Sequence, residues 1–158
     1  MSERPLFAIL PKSLKSGDEV IIKGHLNEDA RQFSVNFTLD SCSPPQDVLI
    51  HFKVDFTSNE IIFNSKEDGS WNEEEVKIEN EFFDEIQQRC HFIPDEPFMV
   101  LFHFDNRQVL VYALTDFESD ISRNFVEQFD LSQYIDNIQT VQVWGDVSKI
   151  DELTFRYS

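Results

Sequence analysis

Polar and apolar residues alternate with a period of two over most of the chain. From Asp47 onward, Val48, Ile50, Phe52, Val54 and Phe56 fall on one face. Asp47, His51, Lys53 and Asp55 fall on the other, and Leu49 breaks the pattern. This alternation predicts a strand with one face buried and the other in water. Runs rich in β-branched and aromatic residues recur at 19–24, 32–39, 60–64, 97–104 and 108–114, with a further pair at 140–144 and 153–155, and each reads as a strand. Turn chemistry separates them at Ser16-Gly17-Asp18, Ser43-Pro44-Pro45, Glu67-Asp68-Gly69, Asp105-Asn106 and Gly145-Asp146,. One stretch stays open: 120–137 spaces Phe125, Phe129 and Tyr134 so that a helical turn fits as well as a strand,. Many short strands with close turns and no regular βαβ alternation predict an all-β fold, an antiparallel two-sheet β-sandwich. With no internal repeat and no Gly/Ser-rich hinge, residues 1–158 read as a single domain,.

Composition sharpens this in three ways. Sixteen Phe residues and a hydrophobic fraction of 41% supply a large aromatic core. The formal net charge of −17 repels phosphate backbones and anionic lipid heads, which makes nucleic acid and membrane surfaces poor partners, so that no nucleic acid and no membrane insertion are expected, and favours solubility. Met1-Ser2-Glu3-Arg4-Pro5 leads into only a short apolar stretch, unlike a signal peptide, and no run approaches the ~20 apolar residues of a membrane span,. Cys42 and Cys90 are the only cysteines, so free thiols and a cytoplasmic location are expected.

The wet strand face carries the candidate chemistry. Sugars are held by planar polar side chains bridging adjacent hydroxyls and by an aromatic ring beneath the C–H face of the pyranose, all on rigid strands. The chain places His51, Lys53 and Asp55 on one strand, Asn64 on the next, and Trp71 and Glu74 after a Gly-containing turn. Three stretches carry this set: His51-Phe52-Lys53-Val54-Asp55-Phe56, then Ile61-Ile62-Phe63-Asn64-Ser65, then Gly69-Ser70-Trp71-Asn72-Glu73-Glu74. They resemble the core of the galectin carbohydrate-recognition domain, where His-x-Asn-Pro-Arg, Val-x-Asn and Trp-x-x-Glu-x-Arg lie on three adjacent strands. The resemblance extends to 17–24, to Phe33-Ser34-Val35-Asn36-Phe37 and to Val141-Gln142-Val143-Trp144-Gly145-Asp146-Val147. It implies a galectin-type jelly roll with no cofactor and no metal. By the same resemblance His51 contacts an axial galactose hydroxyl and Asn64 the primary hydroxyl, Trp71 stacks beneath the ring, and Glu74 accepts from the sugar.

The departures define what changes. The family's Asn is Lys53, its Pro is Val54, its first Arg is Asp55 and its second is Val76. An ammonium does not replace a planar forked donor on vicinal oxygens, and each lost charge-assisted hydrogen bond removes about 1.5–3 kcal/mol. Galactoside affinity is therefore expected to be weakened or its specificity altered. Asp55 and Glu74 are expected to disfavour each other's ionisation, with Lys53 pairing to one of them.

Other readings are weaker. Glu73, Glu74 and Glu75 raise glycoside hydrolysis, but no nucleophile–base pairing is visible and an enzyme is not expected,. His25, His91 and His103 lack zinc-ligand spacing, Asp68-Gly69 suits a turn better than a calcium loop, and Trp144 reads as structural. The expected function is a galectin-like carbohydrate-binding module recognising a glycan or glycoconjugate of the β-galactoside type. The runner-up is a sugar-silent module that binds a protein partner through an acidic face. The resemblance also implies homodimer formation, and export without a signal peptide belongs with the cytoplasmic expectation.

Overall fold

The computed structural model describes residues 6–42, 44–83, 87–117 and 120–158. The start at Met1 and one residue of the expected Ser43 turn lie outside the described residues. Among the described residues fourteen strands follow one another: β1 (Leu6–Ile9), β2 (Glu19–Leu26), β3 (Gln32–Thr38), β4 (Val48–Asp55) and β5 (Glu60–Glu67). Then come β6 (Ser70–Trp71), β7 (Val76–Glu79), β8 (Phe82–Phe83), β9 (Gln88–Arg89) and β10 (Pro97–Phe104). The chain ends with β11 (Gln108–Phe117), β12 (Asp120–Asp130), a 3₁₀ turn at Ile135–Asn137, β13 (Thr140–Gly145) and β14 (Val147–Arg156).

A seven-stranded sheet runs β1-β13-β3-β4-β5-β6, with β7 also on β5, and a five-stranded sheet runs β12-β11-β10-β2-β14. Every pairing is antiparallel. The two inner faces form one core, the sandwich expected from the alternation,. Phenylalanines dominate it: Phe37 packs edge-on to Phe102 at 4.9 Å, Phe52 to Phe102 at 5.5 Å, and Phe63 stacks on Phe129 at 5.7 Å. Edge and offset contacts of this kind stabilise beyond the burial of area alone. No helix among the described residues is long and apolar enough to cross a membrane, and both cysteines are free thiols.

Two bulges account for the irregular spots in the pattern. On β4 both neighbours skip Leu49: Phe37 pairs with Ile50 and Thr38 with Val48, while Val48 pairs with Lys66 and His51 with Asn64. An extra residue in one strand reverses the facing of everything beyond it. Leu49 and Ile50 therefore both enter the core, and Val48, which the alternation assigned there, lies on the opposite face. On β12 the extra residue is Val126, since Val111 pairs with Glu127 and Tyr112 with Phe125. Phe129 and Val126 reach the core while Phe125 is turned out against Tyr112. The open stretch 120–137 is thus a bulged strand followed by a single 3₁₀ turn.

Candidate functional site

Strand register assembles the outer face of the larger sheet from residues far apart in the chain. One row crosses four strands: Gln142 on β13, Asn36 on β3, His51 on β4 and Asn64 on β5. A second row holds Thr140, Thr38, Val48, Lys66 and Trp71, and a third Trp144, Ser34, Lys53 and Ile62. The inward-facing alternates, Val141, Val143, Val35 and Phe37, are fully buried in the core, which leaves the planar polar side chains to the outside.

His51 is the fixed centre. Its Nδ1 lies 2.6 Å from Asn36 Oδ1. An amide oxygen only accepts, so Nδ1–H is the donor and Nε2 carries the lone pair. Burial, with the nearby charge of Lys53, pushes the imidazole down to about 4 against an opposing pull from Glu75. A neutral acceptor therefore stands in the sheet at ordinary pH.

Trp71 is set beside it by a tight turn. Asp68 and Gly69 take φ of 49° and 80°, and Glu67 pairs directly with Ser70, the two-residue hairpin that Asp-Gly favours. The indole packs on the His51 ring at 4.8 Å, with Lys66 Nζ 5.4 Å from its centroid, a cation–π approach. At 45% exposure it keeps much of its surface free for a ligand. It lines two hollows: one of about 150 Å³ shared with Asn36, Val48, Gln142 and Trp144, and one of about 370 Å³ shared with Ser65, Glu67 and Ser132.

The other predicted residues divide. Asn64 is buried beside His51, donates from Nδ2 to Asn72 O at 3.2 Å and accepts from Ser65 N at 2.8 Å, keeping one N–H and one lone pair in reserve. Lys53 lies in the third row, and among the described residues no ion pair joins it to Asp55 or Glu74. Asp55 is drawn into the β4–β5 turn, where Oδ1 accepts from Thr57 Oγ1 at 2.6 Å and Thr57 N at 2.9 Å. The Thr57 hydroxyl is the main cause holding its carboxyl below the ordinary range, which corrects the expectation of mutual repulsion with Glu74. Residues 72–75 break the strand between β6 and β7. Glu74 is exposed, its N–H tied to Asn72 Oδ1 at 3.0 Å. The carboxylate whose charge reaches His51 is Glu75, itself 3.3 Å from Lys77 Nζ.

Four residues on this face are not among the binding residues expected from the sequence: Asn36, Lys66, Gln142 and Trp144. Trp144, taken as structural, faces outward and donates from Nε1 to Gln142 Oε1 at 2.9 Å. Gln142 is fully buried and its Nε2 has no hydrogen-bond partner. Parity was the available signal, since Gln142 and Trp144 alternate with the core residues Val141 and Val143. No group of His, Cys, Asp or Glu among the described residues is arranged to hold a metal.

Comparison with known proteins bears on the family and the fold. The family model for galactoside-binding lectin matches residues 5–155. Galectin-7 of Homo sapiens is 36% identical over 77 residues, 48% of this chain and 54% of that protein. The 16 kDa beta-galactoside-binding lectin of Gallus gallus is 37% identical over 73 residues, 44% of this chain and 52% of that protein. Galectin-4 of Sus scrofa is 38% identical over 74 residues, 46% of this chain and 23% of that protein. The matched segments thus span between about a quarter and about a half of these relatives. The structure of chicken galectin 2 superposes with a TM-score of 0.73 at 21% identity, covering 98% of this chain and all of that one. Sheep galectin-11 gives 0.73 at 19% identity, covering 97% and 98%. On the match across residues 5–155, the chain belongs to the galactoside-binding lectin family.

Proposed function

We propose that the outer face of the larger sheet binds a galactose-containing glycan with altered specificity, through His51, Asn64, Trp71 and Glu74. The observation that carries this reading is the half-exposed Trp71 packed on a neutral His51 that Asn36 holds in one tautomer. In it, His51 Nε2 accepts from a sugar hydroxyl, Asn64 spends its reserve N–H on a second, and Trp71 covers the C–H face of the ring. Glu74 accepts from a further hydroxyl, and Lys53 supplies a single charged donor where a forked one would bridge two oxygens. No arginine stands in the three rows, which is why the affinity for a simple galactoside is expected to be low. Retention on an immobilised galactoside column with elution by free lactose is the expected result.

The second reading is a sugar-silent module that binds a basic protein partner. It is favoured by the net charge of −17 and by the internal hydrogen bonds that already engage Asn64 and His51. Elution by salt, with lactose inert, would select it. Both readings place the chain in the cytoplasm, supported by the two free thiols,, with export by a route needing no signal peptide. The exposed edge strand β1 is where a second copy would pair into a homodimer,.

A further inference from the structure

Charge is spread unevenly over this acidic chain. The net charge is −17, yet among the described residues no Asp or Glu stands in the three polar rows, which carry Lys53 and Lys66. Lys53 lies two positions beyond His51 on β4, and Lys66 two beyond Asn64 on β5. The two lysines therefore flank the His51–Asn64 row on opposite sides. Lys77 continues the third row from β7, opposite Ile62, and is neutralised by Glu75 at 3.3 Å. Glu73, Glu74 and Glu75 lie outside the rows, in the segment that breaks the strand.

The two flanking lysines differ in their surroundings. The charge of Lys53 falls on Asp55, whose carboxyl it helps to hold low. Lys66 has no carboxylate within ion-pair reach among the described residues. Its row neighbours are Val48 and Trp71, and its Nζ stands 5.4 Å from the indole centroid. It is half-buried and lines the hollow of about 150 Å³ beside Trp71. Glu67, next in the chain, points to the other face, where Ser132 and Gln133 donate to it. In the loop leading into β4, Asp40 accepts from the N–H groups of Cys42, Gln46 and Asp47, and Asp47 from that of Asp68. Lys66 is thus a partly desolvated ammonium offset by one indole alone, and such a charge gains from an anion brought against it.

We propose that Lys66 makes this face select galactosides that carry an anionic group on the galactose, a sulfate ester or a carboxylate. This selectivity rests on the glycan reading and names its ligand class. In that reading His51 takes the axial hydroxyl and Asn64 the primary one, which leaves the hydroxyl beside the axial one, at O3, open to carry the acid. An ammonium is a point donor, poorly matched to two neutral vicinal hydroxyls and well matched to a single anionic oxygen. The field of the whole chain acts the other way. At −17 an anionic sugar binds more weakly than a neutral one unless a local cation takes it, so the sign of the preference is diagnostic.

Lactose is compared with its galactose 3-sulfate, its galactose 6-sulfate and 3′-sialyllactose, each titrated calorimetrically into the full chain. At least one acidic form is expected to bind on the order of tenfold more tightly than lactose, the ratio one charge-assisted hydrogen bond supplies. That advantage should shrink as salt is added. The sulfates against the sialoside separate the two sources of the anion. Lys66→Met should bring the ratio of acidic to neutral affinity to one or below, while Lys66→Arg and Lys53→Met should keep it above one. Acidic forms that bind the wild type no better than lactose would overturn the proposal and leave the glycan reading standing. No binding of any of these sugars to the folded chain would overturn both. A ratio that survives Lys66→Met, with lactose and its acidic forms weakened alike, would show that Lys66 only steadies the indole and would also overturn the proposal.

Discussion

His51 combines a fixed tautomer with a lowered proton affinity, and its protonation state sets how binding responds to pH. The Asn36 oxygen accepts from Nδ1–H, which leaves Nε2 bare for the proposed glycan. Because burial holds the imidazole near 4, the acceptor survives well below the ordinary histidine value of about 6.5. Glycan binding is therefore expected to stay flat from pH 8 down to about 5.5 and to fail only as pH approaches about 4. An NMR titration of the imidazole alongside binding checks this, and a loss centred near 6.5 would show that the ring is not buried in this way. Asp55 teaches a different lesson at the same scale. Its parity with His51 and Lys53 was legible, but its short side chain at the strand end is captured by Thr57. Sequence alternation reports which face a residue occupies and says nothing of which neighbour takes its hydrogen bonds.

The β5–β6 hairpin is the element that places the aromatic platform. Gly69 sits at φ +80°, and a Cβ there would lie 2.9 Å from Gln46 Oε1. Gly69→Ala is expected to cost about 1–2 kcal/mol in urea unfolding and to weaken glycan retention, because Trp71 is two residues further along. Unchanged retention would mean that the turn does not position the indole. The turn itself was legible from Glu67-Asp68-Gly69, whereas the β4 bulge was not. Leu49 breaks the alternation, but with Val48, Leu49 and Ile50 all apolar the pattern does not tell which of the three the slip carries to the outer face. On β12 the spacing of Phe125, Phe129 and Tyr134 left helix and strand open. Phe125 and Phe129, an even number of positions apart, would share one face of a regular strand, and the bulge sends them to opposite faces. Nor does periodicity say which strands are neighbours. Asn36 and Gln142 meet only because β13, late in the chain, pairs with β3.

For the whole molecule, two histidines held neutral by burial couple stability to pH. His51 and His91 both titrate near 4 in the folded chain and near 6.5 when unfolded. The stability they contribute is complete above about 6.5 and is lost as pH falls from there through about 4. Near pH 5 unfolding should take up about two protons, read as the slope of unfolding free energy against pH in urea titrations. The double variant His51→Gln, His91→Phe should flatten that slope; an unchanged slope would mean other groups carry it. Carboxylates held below their ordinary range, Asp18, Asp40 and Asp55 among them, add a separate loss at more acid pH.

In the proposed function, the outer face anchored by Trp71 and His51 recognises a glycan. A glycan array probed with the wild-type chain and with Trp71→Ala side by side tests it most directly. The expected result is that the wild type binds a defined set of galactose-bearing glycans and the variant, equally folded, loses at least about tenfold in affinity, as removal of a stacking ring should cause. Binding by both proteins alike, or by neither while both remain folded, would contradict a carbohydrate site on this face.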